Sequence, residues 1–206
     1  IHDRYVCLIG ILISKIMKID SIYDAHELII PNKKIKFNFK DLLIYISEKF
    51  SIRKYDLVFS ANKYRARLMM NIFKLNKKPE IVRNICSSTS KSISLNFIER
   101  NYIKYDRSNN QKYIVYSGNI SRERGIDFLL STINLLPNNI KFIFIGGGTD
   151  FEYLRNLSKS KSLNDRIQIL GFIPNLHLQD VLSYCDIGFI YYPLDTLNNR
   201  YCASNK

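Results

Sequence analysis

"KYIVYSGNISRERGIDFLLSTINLLPNNIKFIFIGGG", Lys112 to Gly148, holds two short apolar runs on either side of a helical pattern. The runs "YIVY" and "FIFI" are nearly continuous in apolar residues, as strands buried on both faces of a parallel sheet must be. "DFLLSTINLL" between them carries the helix that a parallel crossover requires. Each run ends in glycine, at "SGNISRERG" (Ser117 to Gly125) and "IGGGTD" (Ile145 to Asp150). Ligands of open parallel sheets sit beyond the carboxyl ends of the strands, so both turns are candidate binding loops.

The same alternation extends in both directions. Downstream come "FEYLRNLSKS", "RIQILGFI", "LQDVLSYC" and "DIGFIYYP". Upstream come "YVCLIGILISKIM", "DSIYDAHE", "DLLIYISEKFSIRK", "DLVFSA", "NKYRARLMMNIFKL" and "PEIVRN". Two such series predict an α/β protein with two Rossmann-like doubly wound parallel-sheet domains. The first domain is expected over 1–85, a polar connection over 86–111, in which "SLNFIERNYIKY" reads as a short helix or strand, and the second domain over 112–206. The first apolar element is a helix with no strand before it, and "DIGFIYY" is followed by a loop without a covering helix. A fragment, with both domains incomplete, is therefore expected.

An apolar fraction of 46% over 206 residues suits a globular protein with a real core. No run reaches the roughly 18 apolar residues that a membrane-spanning helix needs, and no small-residue cleavage site marks a secretory signal. Cys7, Cys86, Cys185 and Cys202 are far apart without metal-type pairing, which predicts reduced thiols and a cytoplasmic protein. The net charge is +13, and from Lys33 to Lys78 there are thirteen lysines and arginines against three acids. Such a stretch suits anionic lipid, a phosphorylated substrate or nucleic acid, or else is a solvated basic surface. No nucleic-acid reading motif accompanies it, so no nucleic-acid partner is expected.

In "SGNISRERG", Gly118 permits close backbone approach, the following helix start offers unpaired N–H donors, and Arg122 or Arg124 adds full charge. A phosphate site and a plain loop with solvated arginines both fit. Gly146, Gly147 and Gly148 clear space for a ligand or a neighbouring backbone. They make neither a dinucleotide fingerprint nor a P-loop. "LGFIPN", Leu170 to Asn175, is a third loop at the same end, stiffened by Pro174. In "YDAHEL", Tyr23 to Leu28, His26 and Glu27 could move a proton or bind a hydroxyl, or His26 could be a capping group. His2 and Asp3 form another polar pair, and His177 is expected on a helix surface. No metal-ligand spacing or nucleophilic triad stands out.

The order of "YDAHEL", "DLVFSANKYRARLM", "PEIVRN", "YSGNISRERGID", "FIGGG", "LNDRIQILGFIP", "LSYCDIGFIYYP" and "ASNK" resembles the family 4 retaining glycosyltransferases of the GT-B fold. The resemblance implies a second domain that binds a nucleoside-diphosphate sugar and a first domain that binds a glycan or lipid-linked acceptor, in surface-polysaccharide assembly. It places Gly118 and Arg124 on the donor diphosphate, with Asn119 where many members carry an arginine. It puts Gly146, Gly147 and Gly148 beside the donor, and the backbone of Phe172 and Ile173 against the base. His26 faces the sugar and acceptor and is the implied catalytic residue. Asn205 and Lys206 would lie near the donor; Tyr201 stands where one of two customary glutamates is expected, and the other would fall beyond Lys206. The implied chemistry is front-face attack with retention and no metal, and basic residues of the first domain suggest contact with an anionic membrane surface. A nucleotide-sugar epimerase or hydrolase of the same architecture, and a non-catalytic truncated product or binding partner in a glycan assembly complex, are the alternatives.

Overall fold

The computed structural model describes residues 1–31, 38–83, 85, 93–104, 110–160 and 163–204. They form two compact units, Ile1–Cys86 with Pro193–Asn205, and Ser87–Tyr192. No helix among the described residues is long and apolar enough to cross a membrane.

The first unit has a parallel sheet in the order β1 (Ile22–Ala25), β2 (Leu57–Ser60), β3 (Glu80–Ile81). Its helices are α1 (Cys7–Met17), α2 (Phe39–Ser51) and α3 (Lys63–Phe73). The side-chain oxygens of Asn38 and Asn62 accept from the amides of Asp41 and Arg65, each at 2.8 Å, so both helix starts are capped. Lys18 closes α1 in the left-handed conformation. Tyr23, Ala25, Met69 and Phe73 form the core with Cys7 and Ile11. Among the described residues of this sheet, Ile22 and Leu57 at the strand starts remain exposed. The observed core gathers on the side of Tyr23 and Ala25, because β1 alternates its side chains across the pleat.

Glu48 of α2 is buried, accepting from the Tyr23 hydroxyl at 2.7 Å, with Arg4 Nε 3.6 Å from its second oxygen. Burial outweighs the lowering influence of Tyr23 and Arg4 and raises the carboxyl pKa above its ordinary value. The folded chain thus holds this proton more tightly than the unfolded chain. The resulting stability is fully present below the ordinary carboxylate range and is lost as pH rises through the raised value. Tyr23→Phe is expected to lower the unfolding free energy by about 1.5–3 kcal/mol at a pH above the raised value, where the hydroxyl serves a carboxylate. Urea unfolding on either side of that value should show the smaller loss on the acid side.

The second unit has a four-stranded parallel sheet in the order β6 (Ile167–Gly171), β5 (Ile140–Ile145), β4 (Lys112–Ser117), β7 (Ile187–Phe189). Around it lie α4 (Leu95–Asn101), α5 (Ile126–Ile133), α6 (Phe151–Ser158) and α7 (Asn175–Tyr184). Tyr116, Phe142 and Phe144 pack with Leu129, Ile133 and Leu154 on one side. Tyr113, Val115, Ile143 and Ile145 pack with Ile98, Val181 and Tyr184 on the other. Alternation along β4 and β5 therefore feeds two cores, which is why these strands read as continuous apolar runs.

Two boundaries differ from the expected spans. The connection 86–111 contains α4, whose Ile98 is buried in the second unit, its start capped by the Ser94 hydroxyl. Residues 193–204 pack with the first unit, and "DIGFIYY" is followed by a short helix α8 (Leu197–Arg200). The attachment is polar: Asn198 Oδ1 accepts from the Leu28 amide at 3.0 Å and from Arg65 Nη2 at 2.7 Å. Buried polar groups must be paired, and Asn198 supplies an acceptor that local sequence does not reveal.

Candidate active site in the second unit

Strand β4 has β5 on one side and β7 on the other, so the chain leaves β4 towards β5 and β6 and then crosses back to β7 on the opposite side. This is the topological switch point, where an open sheet offers a crevice at the strand ends. The loop after β4 and the segment Ile190–Tyr192 after β7 meet the solvent there.

The β4 loop is held from both sides. Gly118 donates its amide to Ile145 O and Ile120 to Gly147 O, both at 2.9 Å, while Asp150 donates to Ile120 O at 3.1 Å. The buried Tyr116 hydroxyl donates to Asn119 O at 2.5 Å. Burial pushes that phenol up to about 12, with Arg124 pulling the other way, so the donor stays protonated at neutral pH. The third loop joins through the Gly146 amide, which donates to Gly171 O at 2.7 Å beyond a register shift between β5 and β6.

These bonds explain the glycine run. Gly146 has φ +118, and a side chain there would strike the Gly118 carbonyl oxygen; one at Gly148 would strike Asn119 and Ile120. One at Gly147 would meet the Phe172 ring. Of the two uses open to glycine at the sequence level, close approach of a neighbouring backbone is the one the geometry displays.

The two arginines are unlike. Arg122 lies 3.5 Å from Asp127 and 3.8 Å from Asp150, and its guanidinium covers the Tyr153 ring at 4.5 Å. Arg124 has no carboxylate partner among the described residues, and its guanidinium sits 4.6 Å from the centroid of Tyr192. Arg124 is thus the cation of this loop with charge left to offer. Ser121 Oγ is buried without a hydrogen-bond partner among the described residues. The aromatic support was missed in the sequence: Phe128 stacks on Phe189 and Tyr191, and Tyr192 lies under Arg124. The signal available was the aromatic run after the last strand.

Gly118, Asn119, Arg124, Gly146, Gly147, Gly148 and Phe172 therefore converge on one end of the second sheet. Phe172 is 87% exposed, while Ile173 packs into the core on the α7 side. His26 and Tyr201 belong to the first unit. His26 is exposed beside Asp24, and the Tyr201 carbonyl accepts from Asn62 Nδ2 at 3.0 Å. Asn205, Lys206 and Cys86 lie outside the described residues. His177 is not a plain surface group: its Nδ1 meets the Tyr102 hydroxyl at 2.6 Å, and Phe97 packs edge-on. Cys7, Cys185 and Cys202 form no disulfide among the described residues.

Residues 98–191 match the protein family described as glycosyl transferases group 1. That segment contains all three strand-end loops and both arginines. No curated protein matches the chain in sequence. Among solved structures, the chain is similar to Anabaena Alr3699/HepE in complex with UDP, with a TM-score of 0.70 at 15% identity over 90% of this chain and 50% of that one. It is similar to the pneumococcal O-GlcNAc transferase GtfA in complex with UDP and GlcNAc, with a TM-score of 0.56 at 15% identity over 86% and 34%. It is also similar to a glycosyltransferase from Rickettsia africae ESF-5, with a TM-score of 0.57 at 14% identity over 91% and 56%. The fold is the α/β, Rossmann-like GT-B fold. The chain spans about half the length of the Anabaena structure.

Proposed function

We propose that the chain is part of a glycosyltransferase that moves a sugar from a nucleoside-diphosphate sugar to a glycan or lipid-linked acceptor in surface-polysaccharide assembly. The observation that carries this reading is the uncompensated Arg124 in a glycine-rich loop at the switch point, within the segment that matches the glycosyltransferase family. Negative charge grows on a departing nucleoside diphosphate as the sugar bond breaks. Fixed cations and N–H donors placed there stabilise the transition state more than the bound sugar nucleotide. Arg124 and the free amides at the start of α5 are such groups, so the reading needs no metal at the diphosphate. The solved relatives that hold UDP support a nucleoside diphosphate as ligand.

In this reading the Phe172–Ile173 backbone meets the base, and His26, exposed and paired with Asp24 at 3.2 Å, faces the sugar or the acceptor hydroxyl. Asn205 and Lys206 add donor contacts, as does Tyr201. Transfer proceeds with retention by front-face attack, the leaving phosphate helping to take the acceptor proton. Isothermal titration of UDP, with GDP as comparison, tests the core of the proposal. Saturable binding of one of them supports it, and absence of binding by a chain shown to be folded overturns it in favour of a non-catalytic partner.

The protein acts, on the same proposal, at the cytoplasmic face of an anionic membrane. Helix α2 supports this by exposing Phe39, Leu43 and Phe50 on a helix that also carries Lys40 and Lys49. The basic stretch is not one uniform face, because Arg65 is buried, while Lys33, Lys34 and Lys36 lie outside the described residues. Co-sedimentation with vesicles is expected to rise with anionic lipid and fall with salt. Indifference to both would remove the membrane from the proposal.

A further inference from the structure

We propose that His2, Asp24 and His26 form a binding site for a divalent transition metal, zinc in particular. His2 is remote in sequence from Asp24 and His26, and backbone geometry brings it to them. Residues 1–3 run beside β1: the Asp24 amide donates to Ile1 O at 2.9 Å, the Asp3 amide donates to Asp24 O at 3.2 Å, and His2 pairs with Asp24 in a parallel bridge. Bridge partners in parallel strands share a face of the sheet, which puts His2 beside Asp24. His26 lies one residue past the end of β1, and its ring reaches the same carboxylate. The backbone at His26 is itself anchored, since its carbonyl accepts from the buried Arg65 at 2.7 Å.

Their donor atoms converge. His2 Nδ1 lies 3.1 Å from Asp24 Oδ2, His26 Nε2 lies 3.2 Å from the same oxygen, and the two nitrogens are 3.1 Å apart. Hydrogen bonds alone do not satisfy this triangle. Each nitrogen carries at most one hydrogen. If both hydrogens point to the carboxylate, two donors face each other along the third edge. If one nitrogen is bare, an edge to the carboxylate sets lone pair against lone pair. A metal ion accepts all three lone pairs at once.

The spacing and the chemistry select the class of ion. Metal–ligand bonds of about 2.0–2.2 Å in a tetrahedral site put neighbouring donors about 3.3–3.5 Å apart, so these side chains need to open by only a few tenths of an ångström. Two imidazoles and one carboxylate suit zinc and its transition-metal neighbours, whereas magnesium and calcium take oxygen ligands. The rings are exposed, which leaves the fourth position to water. In the loaded site Nε2 of His26 is committed to the metal and is closed to the sugar contact proposed above. Sequence inspection misses the site because the two histidines are 24 residues apart and only the bridge aligns them.

Zinc chloride titrated into the chain at neutral pH, without donor nucleotide, tests the site separately from the transferase reading. One zinc per chain is expected. Loss of an outer-shell partner already weakens metal sites about 10- to 100-fold, so His2→Ala and Asp24→Asn should each weaken uptake at least tenfold. His177→Ala should leave it intact, and magnesium should give no saturable signal. Circular dichroism confirms that each variant is folded; His2 is mostly exposed and Asp24→Asn keeps the side-chain shape. Absence of saturable zinc uptake by the folded chain overturns the proposal. Equal uptake by His2→Ala and Asp24→Asn does so as well, by placing the metal elsewhere.

Discussion

Arg124→Ala is expected to weaken the proposed UDP binding by about 10- to 150-fold, and Arg122→Ala to leave it within about threefold. The first figure is the loss of about 1.5–3 kcal/mol expected when a charged hydrogen bond is removed. It applies to Arg124 because that guanidinium is half-buried against Tyr192 and has no carboxylate partner among the described residues. Its charge is not spent inside the protein. Arg122 is in the opposite condition, shared between Asp127 and Asp150 and folded over Tyr153. Attraction between Arg122 and a diphosphate is offset by those two acids. Titration calorimetry of the two variants beside the parent separates the residues, and equal losses would show that the loop acts only as a diffuse positive patch.

Gly146→Ala is expected to destabilise the chain by about 2–5 kcal/mol and to abolish measurable UDP binding. A side chain at φ +118 carries backbone strain of about 1–2 kcal/mol. Its Cβ would also fall on the Gly118 carbonyl, and relieving such overpacking costs about 1–3 kcal/mol. Relief requires the β4 and β5 loops to separate, which breaks the Ile120–Gly147 hydrogen bond and moves the platform under Arg124. Gly171→Ala is the control. It has φ +65 but open space around it, so only the smaller strain of about 1 kcal/mol should appear. Urea unfolding of both variants, followed by UDP titration of those that fold, checks the contrast. Similar midpoints for the two would show that the loops give way without cost.

The continuous runs of β4 and β5 were legible because burial on both faces leaves its mark on consecutive residues. Helices α2, α3 and α5 were legible from their amphipathic patterns. Helix α4 reads equally as helix or strand in the sequence, since seven residues with one buried isoleucine are too short for periodicity to decide. The site was partly legible. Glycine at two strand ends, with basic residues after the first, marks a loop position that a parallel sheet presents to ligands whatever its other details. The choice between Arg122 and Arg124 rested on resemblance, because the acids that neutralise Arg122 are set in place only when Asp150 arrives from the next crossover. The support from Tyr192 was hidden for the same reason: it depends on β7 pairing with β4 rather than with β6.

What the sequence by itself determined is the alternation of strand and helix, the parallel sheets and the glycine-bearing loops at the strand ends, since all of these follow from short-range periodicity and from where glycine permits a turn. Tertiary structure alone decided that residues 193–204 join the first unit, that Arg124 keeps its charge free, that the glycines serve contact between backbones, and that His2 meets Asp24 and His26. Each of these depends on register and on which distant residue satisfies a buried polar group or neutralises a charge. Such partners are chosen by the packed chain as a whole, and no local pattern of residues encodes them.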